Sequence, residues 1–324
     1  MSDTKILNIK NLKVDFSLDD KKNLAVRDVS LSLFPGKTLG LVGESGCGKS
    51  VTAYSILQLI SPPGKIRSGQ IIYKGKDLTQ LNKKEINQIR GKEIAMIFQE
   101  PMASLNPVFT IGYQIQESIA QHLKKSKSEA KKIAINNLKQ VGIPNPEQRY
   151  YAYPHELSGG MCQRVMIAIA LATSPEILIA DEPTTALDVT IQAQILDLLL
   201  KIQQENKMSL LFISHDIGVV ANIADYIAIM YAGEIIEYGK TAEILKQPLH
   251  PYTKGLFKSI PKIEDNHKKL FLIPGQVPAL NQEPQGCAFY ERCVEKKPEC
   301  KLNKIKLSSL NKNQAVRCLN LLSS

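Results

Sequence analysis

One run of eight residues constrains the fold of this chain more than any other: GESGCGKS, from Gly43 to Ser50. It fits the pattern G-x-x-x-x-G-K-[ST], follows the apolar run LGLV and precedes the helix-like VTAYSILQLI. Glycines let backbone N–H groups wrap a phosphate, and the N-terminus of a following helix adds positive potential. A glycine-rich turn formed by chance is the alternative, but a strand before and a helix after the run favour a phosphate loop.

The residues of this phosphate loop have predicted roles in nucleotide binding. We expect Lys49 to contact the β- and γ-phosphates and Ser50 to ligate Mg²⁺. The other nucleotide-binding candidates are Gly43, Glu44, Ser45, Gly46, Cys47, Gly48 and Val51. Only the backbone N–H of Cys47 is needed there, so we interpret it as an ordinary small residue; a thiol sensitive to oxidation beside a helix N-terminus is the alternative.

Short apolar runs that end in polar or glycine-rich turns indicate buried strands. They are LGLVGESG, AMIFQ, ILIADEP and LLFISHD, separated by helix-length segments, a spacing typical of parallel βαβ units. Ligands of such sheets bind at the carboxyl ends of the strands. Before and around them, LNIKNLKVDF and VRDVSLSLFPGKT alternate with period two and predict an antiparallel layer. The sequence therefore predicts an α/β fold with a P-loop.

The chain changes character near residue 250. A helical stretch between about 112 and 155 precedes this point, and proline-bearing, lysine-rich sequence follows it. We predict a nucleotide-binding domain over 1–255 and a C-terminal extension over 256–324. In the extension, 12 Lys and Arg stand against 6 Asp and Glu, so +6 of the formal charge of +10 lies there. The extension is predicted to be basic and solvated.

Charge and hydropathy exclude several classes of protein. No RNP motif, zinc-finger spacing or basic–aromatic interleaving accompanies the positive charge, so no nucleic-acid partner is predicted. Charged residues occupy the N-terminal stretch where a signal peptide needs an apolar run, so we do not expect export. No segment reaches the roughly 18 apolar residues of a membrane-spanning helix. Work at a membrane would depend on helices of other subunits.

A strand that ends in two carboxylates completes the predicted hydrolytic site. The run ILIADE buries four apolar residues and brings out Asp181 and Glu182 at its end. We expect Asp181 to hold Mg²⁺ and Glu182 to polarise the attacking water as general base. Such a run is usually structural when it stands alone, but a phosphate loop upstream favours the functional interpretation.

The run LSGGMCQR, between these two elements, resembles the signature motif of ATP-binding-cassette (ABC) ATPases. The resemblance implies that Ser158, Gly159 and Gly160 open a helix whose N-terminus contacts the γ-phosphate of ATP held by an opposing subunit. Met161 stands where most cassettes carry glutamine, a variant similar to that of peptide importers. The phosphate contact is made by the serine and glycines, so the substitution does not affect it.

Other cassette elements occur in the family's order, and their roles are implied by the resemblance. Phe16 corresponds to the aromatic residue that stacks on adenine. Gln99 resembles the Q-loop glutamine, which belongs to the Mg²⁺–water site and links it to the membrane partner. Asp188, in Ala186-Leu187-Asp188, resembles the D-loop aspartate, and His215 resembles the switch histidine that contacts the γ-phosphate.

Resemblance extends beyond the cassette. IFQEPMASLNP, YPHELSGGM, IADEPTTALDVTIQAQIL, the HPYT segment and the cysteine-bearing tail are similar to the ATPase subunits of dipeptide and oligopeptide importers. This implies a RecA-like core with an antiparallel β layer and a helical subdomain at about 100–175. It also implies peptide import driven by ATP with Mg²⁺ at the cytoplasmic face of the cell membrane.

The same resemblance implies the partners. They are a second, similar ATPase subunit in a heterodimer, two integral membrane permease subunits and an extracytoplasmic substrate-binding protein. An importer of nickel or another small solute would share every motif, because the solute is chosen by the other subunits. A non-membrane cassette protein is a second alternative, but such proteins usually carry two cassettes or a long coiled-coil insertion. A regulatory iron–sulfur or zinc protein is a third, and the intact phosphate-loop, signature and switch residues argue against it.

The extension carries four cysteines with the spacing C-x5-C-x6-C-x17-C: Cys287, Cys293, Cys300 and Cys318. Zinc sites favour tighter C-x2-4-C pairs, and an iron–sulfur cluster suits these spacings at least as well. The family resemblance implies a [4Fe–4S] cluster, with zinc and four unligated thiols as the alternatives. A metal centre would hold together a segment that has few large apolar residues.

Overall fold

The computed structural model describes residues 4–17, 23–185, 187–260, 271–311 and 313–322. The chain forms two compact units. The first comprises Met1–Gln80 and Phe212–Ser324, and the second comprises Leu81–Leu211. None of the helices in the described ranges combines the length and the apolar character that a membrane crossing requires.

The strands are short and mostly buried. In chain order they are β1 (Leu7–Asp15), β2 (Leu24–Leu33), β3 (Thr38–Val42), β4 (Lys65–Tyr73), β5 (Lys76–Asp77), β6 (Ile94–Ile97), β7 (Ile177–Asp181), β8 (Ser209–Ser214), β9 (Tyr226–Tyr231), β10 (Glu234–Lys240), β11 (Ser308–Asn311) and β12 (Gln314–Val316). The four apolar runs identified in the sequence form β3, β6, β7 and β8, and every residue of these strands is buried. The prediction of four buried strands is confirmed.

The helices range from single turns to five turns. In chain order they are α1 (Lys49–Ile56), α2 (Lys83–Ile89), α3 (Pro101–Ser104), α4 (Ile111–Leu123), α5 (Lys127–Gln140), α6 (Pro146–Arg149), α7 (Gly159–Leu171), α8 (Val189–Asn206), α9 (Ile217–Ile223), α10 (Thr241–Lys246), α11 (Pro251–Lys258), α12 (Glu299–Leu302) and α13 (Leu319–Leu322). Helix α1 ends at Ile56, before the end of the helix-like run, because Gln58 adopts a left-handed conformation with φ 50°.

The first unit is built on a mixed sheet. Strand β1 pairs antiparallel with β2 and with β4, which confirms the antiparallel layer predicted from period-two alternation. Strand β3, which leads into the phosphate loop, pairs parallel with β9, and β9 pairs antiparallel with β10. Pairing of β3 with β9 fixes the end of β3, from which the phosphate loop begins.

The C-terminal extension joins this sheet through its last strands. Strand β12 pairs antiparallel with β10 and with β11. The buried Arg317 forms ion pairs with Asp28 at 3.1 Å and Glu234 at 3.6 Å. The fully buried Glu237 accepts hydrogen bonds from the backbone N–H groups of Leu249 and His250, both at 2.9 Å. These contacts hold the HPYT segment and the extension against the sheet of the first unit.

The second unit contains parallel β6 and β7 and a group of packed helices. Helices α4, α5 and α7 pack on one another. Arg164 of α7 donates to the Val141 carbonyl at 2.7 Å and to the Gln194 side chain of α8 at 3.0 Å. Arg164 therefore ties α7, which begins within the signature motif, to the end of α5 and to α8. The predicted bounds of the domains and of the helical subdomain remain predictions.

Candidate nucleotide-binding site

The phosphate loop joins β3 to α1, as the sequence predicts. Gly48 immediately precedes α1 and has φ 104°, and a Cβ there would come 2.5 Å from the Ala25 carbonyl oxygen. At Gly43 a Cβ would come 2.2 Å from the carbonyl oxygen of Met230. Only glycine fits these two positions, so the backbone of the loop can follow its tight path. At the tip of the loop, Ser45 and Gly46 are exposed.

Lys49 bends back over the loop that precedes it. Its buried ammonium donates to the carbonyl oxygens of Gly43 at 2.8 Å and Glu44 at 3.2 Å. From this position the Lys49 ammonium can exchange the two carbonyl oxygens for phosphate oxygens with only a small movement of its side chain. Ser50 and Val51 follow it in the first turn of α1.

Cys47 is an ordinary buried residue of the loop, in line with the first interpretation. Its thiol is fully buried, and burial raises the pKa of Cys47 to about 11. Its backbone carries the structural contacts: the N–H donates to the Glu44 carbonyl at 3.2 Å, and the carbonyl accepts from the Gly233 N–H at 2.9 Å. A protonated, buried thiol is poorly reactive toward oxidants.

In the second unit, the structure brings the predicted base and the Q-loop glutamine together. Gln99 Nε2 donates to Glu182 Oε2 at 3.2 Å, and Thr185 Oγ1 donates to the same oxygen at 3.0 Å. Glu182 has φ 46°, a left-handed conformation that L-residues adopt at a cost of about 1–2 kcal/mol. Asp181, one residue earlier, ends β7 and is fully buried. The Gln99 and Thr185 contacts hold the Glu182 carboxylate in one orientation.

The signature motif forms a helix N-terminus, as expected. Ser158 precedes α7, and its side chain accepts a hydrogen bond from the Met161 N–H at 3.3 Å. Gly159 has no neighbouring atom within 4 Å of where a Cβ would stand, so this helix start is open. In contrast, a Cβ on Gly160 would come 3.0 Å from the Ile191 side chain of α8. Ser158 and Gly159 are exposed.

The remaining candidates lie at element ends. Asp188 accepts from the Ile191 N–H at 2.9 Å and caps α8; Ala186, in the same D-loop, lies outside the described residues. His215 is exposed in the turn between β8 and α9. Phe16 follows β1 and is half-buried, with its ring near Gly64. The predicted roles of these three residues stay predictions.

Two residues that the sequence reasoning missed touch the phosphate loop. Arg292 of the extension donates to Glu44 Oε2 at 2.9 Å, and the Tyr252 hydroxyl accepts from the Glu44 N–H at 3.2 Å. Tyr252 belongs to the HPYT segment, which the sequence singled out without a role. No local signal pointed from Arg292 to Glu44, because Glu291 and Glu295 are acidic residues much nearer to it in the chain.

The four cysteines of the extension line one cavity, together with His250. Cys287 donates its N–H to the Cys300 carbonyl at 2.7 Å. Burial raises the pKa of the Cys287 thiol to about 12, and the other three cysteines add to the effect. Burial also lowers the pKa of His250 to about 3, so its imidazole is neutral.

These donors suit a thiophilic metal by chemical type, but their arrangement is not yet that of a metal site. Within the described ranges, no group of three or more His, Cys, Asp or Glu side chains could hold a metal ion as positioned. The cavity that the cysteines share is also lined by apolar side chains, among them Ile305 and Leu319. The predicted metal centre therefore stays a prediction.

Comparison with known proteins covers nearly the whole chain. The family profile described as ABC transporter matches residues 26–185, and that described as oligopeptide/dipeptide transporter, C-terminal region, matches residues 236–300. The dipeptide transport ATP-binding protein DppD of Bacillus subtilis (strain 168) is 50% identical over 91% of this chain and 89% of its own length. The chain belongs to the family of ATP-binding subunits of dipeptide and oligopeptide ABC importers.

Other family members agree with this placement. The oligopeptide transport ATP-binding protein OppD of the same organism is 52% identical over 88% of this chain and 80% of its own length. Among solved structures, the dimeric post-hydrolysis state of the ATP-binding cassette MJ0796 bound to ADP and Pi superposes with a TM-score of 0.66. That cassette is 28% identical and covers 72% of this chain and 98% of its own.

Membership in this family makes the chain an ATPase with the P-loop ABC fold and a mixed sheet. ATP and Mg²⁺ fit the residues found at the phosphate loop and at the end of β7. The comparisons say nothing of a metal centre in the extension, and among the described residues the cysteines are not positioned as metal ligands, so the [4Fe–4S] cluster and its zinc alternative stay predictions.

Proposed function

We propose that this chain is one of two ATPase subunits that power a peptide importer at the cytoplasmic face of the cell membrane. The partners are a second, similar ATPase, two integral membrane permease subunits and, through the complex, an extracytoplasmic substrate-binding protein. The observation that carries the peptide assignment is the match to peptide-transport relatives across both the cassette and the C-terminal region. Exposure of Ser158 and Gly159 supports a shared site, because an opposing subunit can reach them.

The proposed hydrolysis divides the work among the residues described above. Lys49 leaves the carbonyl oxygens of Gly43 and Glu44 and binds the β- and γ-phosphates. Mg²⁺, held by Ser50 and Asp181 with Gln99, would neutralise charge on the phosphates. Glu182 accepts the proton of the attacking water.

The remaining candidates act at the edges of this site. Ser158, Gly159 and Gly160 of the opposing subunit would contact the γ-phosphate, and His215 would contact it from the same chain. Phe16 would stack on adenine, and Asp188 would lie at the interface with the opposing subunit. Closure of two ATPase subunits on two ATP molecules then drives the membrane subunits between inward- and outward-facing states, and hydrolysis reopens the ATPase pair.

Purification from membranes tests the assembly. Detergent-extracted complexes captured through a tag on this chain should contain two hydrophobic subunits and a second ABC ATPase in equal amounts. Recovery of this chain alone, or only as a pair with itself, from membranes that contain the permease subunits would contradict the proposed heteromeric importer.

The four cysteines are proposed to bind a metal centre, a [4Fe–4S] cluster with zinc as the alternative. Convergence of Cys287, Cys293, Cys300 and Cys318 on one cavity supports this. A bound cation would also reverse the effect of burial on the thiols, because thiolates become stable as ligands.

Anaerobic purification tests the metal proposal. Iron with a broad visible absorbance that disappears in Cys293→Ser supports the cluster, and zinc alone selects the alternative. Cys47→Ser is the control, since Cys47 lies in the phosphate loop and should leave metal content unchanged. Protein that hydrolyses ATP and carries neither metal would refute the proposal.

A further inference from the structure

The contact between the C-terminal extension and the phosphate loop has no role in the mechanism described so far. The Arg292 side chain is only 7% exposed and that of Glu44 30%, so their ion pair is largely shielded from water. Residues 44 and 292 are 248 positions apart in the chain, and both belong to the first unit. A shielded, hydrogen-bonded ion pair of this kind is more than a surface contact.

Glu44 is held at its backbone as well as at its side chain. Its N–H donates to the Tyr252 hydroxyl, and its carbonyl accepts from the Cys47 N–H and from Lys49 Nζ, each at 3.2 Å. When Lys49 turns to a phosphate, the carbonyl of Glu44 loses one partner. The contacts to Tyr252 and Arg292 do not depend on Lys49, and they hold the first half of the loop in place.

Arg292 is itself fixed by the extension. Its Nε donates to the Pro274 carbonyl at 2.8 Å and its Nη2 to the Ile273 carbonyl at 3.2 Å. The guanidinium lies 5.6 Å from the centre of the Tyr231 ring and 5.8 Å from that of Phe289. A planar guanidinium whose donors and faces are both engaged is a rigid support.

The pair also balances charge. Glu44 is the acidic residue of a loop that receives the anionic phosphates of ATP, and an unpaired carboxylate there would oppose binding. Arg292 neutralises it. From these contacts we propose that Arg292 is a positioning residue for the nucleotide site: through Glu44 it holds the phosphate loop ready for ATP, so the extension sets nucleotide affinity. This inference rests on the proposed binding of ATP phosphates at the loop.

Titration of the purified full-length chain with a fluorescent ATP analogue tests this role. Arg292→Ala should bind about tenfold more weakly, since a charge-assisted hydrogen bond is lost and Glu44 is left unpaired. In the assembled complex, KM for ATP should rise by a similar factor while kcat changes by less than twofold, because no group of the pair touches the reacting water. Arg292→Lys should recover part of the affinity, because it keeps the charge without the planar fork.

A matched control lies in the same extension. Lys301 pairs with Glu291 at 3.7 Å, and both side chains are mostly exposed. Lys301→Ala should leave ATP affinity unchanged within twofold. An equal loss of affinity in Lys301→Ala and Arg292→Ala would mean that any disturbance of the extension weakens the site, which would overturn the specific role of Arg292.

A double-mutant cycle separates the ion pair from general destabilisation. Glu44→Gln together with Arg292→Ala should bind ATP no more weakly than Arg292→Ala alone, because the unpaired carboxylate is gone. Additive losses in the double variant would contradict the proposal. If Arg292→Ala does not fold, Arg292→Lys tests the same pair, and wild-type affinity in Arg292→Lys would equally contradict the proposal.

Failure of the inference can be told apart from failure of the proposed site. Lys49→Ala should abolish binding of the analogue. Normal binding by Lys49→Ala would refute the phosphate site itself. Loss of binding in Lys49→Ala together with wild-type affinity in Arg292→Ala would refute only the positioning role.

Discussion

At the scale of single residues, the proposed hydrolytic chemistry depends on one carboxylate held by two neighbours. Gln99 and Thr185 both donate to Glu182 Oε2, at 3.2 and 3.0 Å, and these two contacts fix the orientation of the carboxylate. A general base whose orientation is fixed in advance loses little entropy in the transition state. The geometry therefore favours Glu182, rather than the fully buried Asp181, as the base.

Glu182→Gln should keep ATP binding and lose turnover. The amide has nearly the same shape but cannot accept the proton, so phosphate release should fall about 10²- to 10⁴-fold. Nucleotide titration and phosphate release on the same preparation provide the measurement. Glu205→Gln, at an exposed α8 position paired with Lys201 at 4.0 Å, should behave like the wild type. Turnover near the wild-type rate in Glu182→Gln would refute the assignment.

At the scale of secondary-structure elements, glycine is required for different reasons in the phosphate loop and in the turn between β4 and β5. Gly48 combines φ 104° with a backbone oxygen 2.5 Å from where a Cβ would stand, whereas Gly75, with φ 81°, has open space there. At Gly48 both the backbone angle and the neighbouring atoms disfavour a side chain, whereas at Gly75 only the backbone angle does.

Substitution by alanine at these two glycines should separate the effects. Gly75→Ala should lower the free energy of unfolding by about 1–2 kcal/mol, the cost of a left-handed alanine. Gly48→Ala should lower it further, because the Ala25 carbonyl cannot move without disturbing β2. Urea unfolding measures both. Equal losses would show that the loop relaxes around the added methyl group.

Helix N-termini give the second test at this scale. Ser158 and Ser126 make the same cap, each accepting a backbone N–H at 3.3 Å, but only Ser158 belongs to the signature motif. Ser158→Ala and Ser126→Ala should each lower the free energy of unfolding by about 1 kcal/mol. Only Ser158→Ala should reduce ATP hydrolysis by the assembled complex. Equal effects of the two substitutions on hydrolysis would contradict a phosphate contact by Ser158.

At the scale of the whole molecule, the sequence predicted those features that local residue patterns determine. The strands β3, β6, β7 and β8, the antiparallel pairing of β1 and β2 and the phosphate loop follow from short runs whose burial and periodicity are visible in the chain. Contacts between distant residues do not follow from such runs. Gln99 meets Glu182 across 83 positions, and Arg292 meets Glu44 across 248. The arrangement of the extension cysteines could likewise not be predicted from their spacing in the sequence, because the pairing of β12 with β10 helps to determine it.

Substrate class also belongs to this scale, because in the proposed importer the solute is chosen by the other subunits rather than by the ATPase. In the proposed importer, ATP hydrolysis by this chain powers peptide import. A strain that lacks the chain, supplied with either the wild type or Glu182→Gln, allows a direct test with labelled dipeptides, longer peptides and nickel.

Uptake of labelled peptide in that strain is the most direct measurement. We expect the wild-type chain to restore peptide uptake, and Glu182→Gln, present in the membrane at the same level, to restore none. Restoration of nickel uptake alone, or full peptide uptake with Glu182→Gln, would contradict the account.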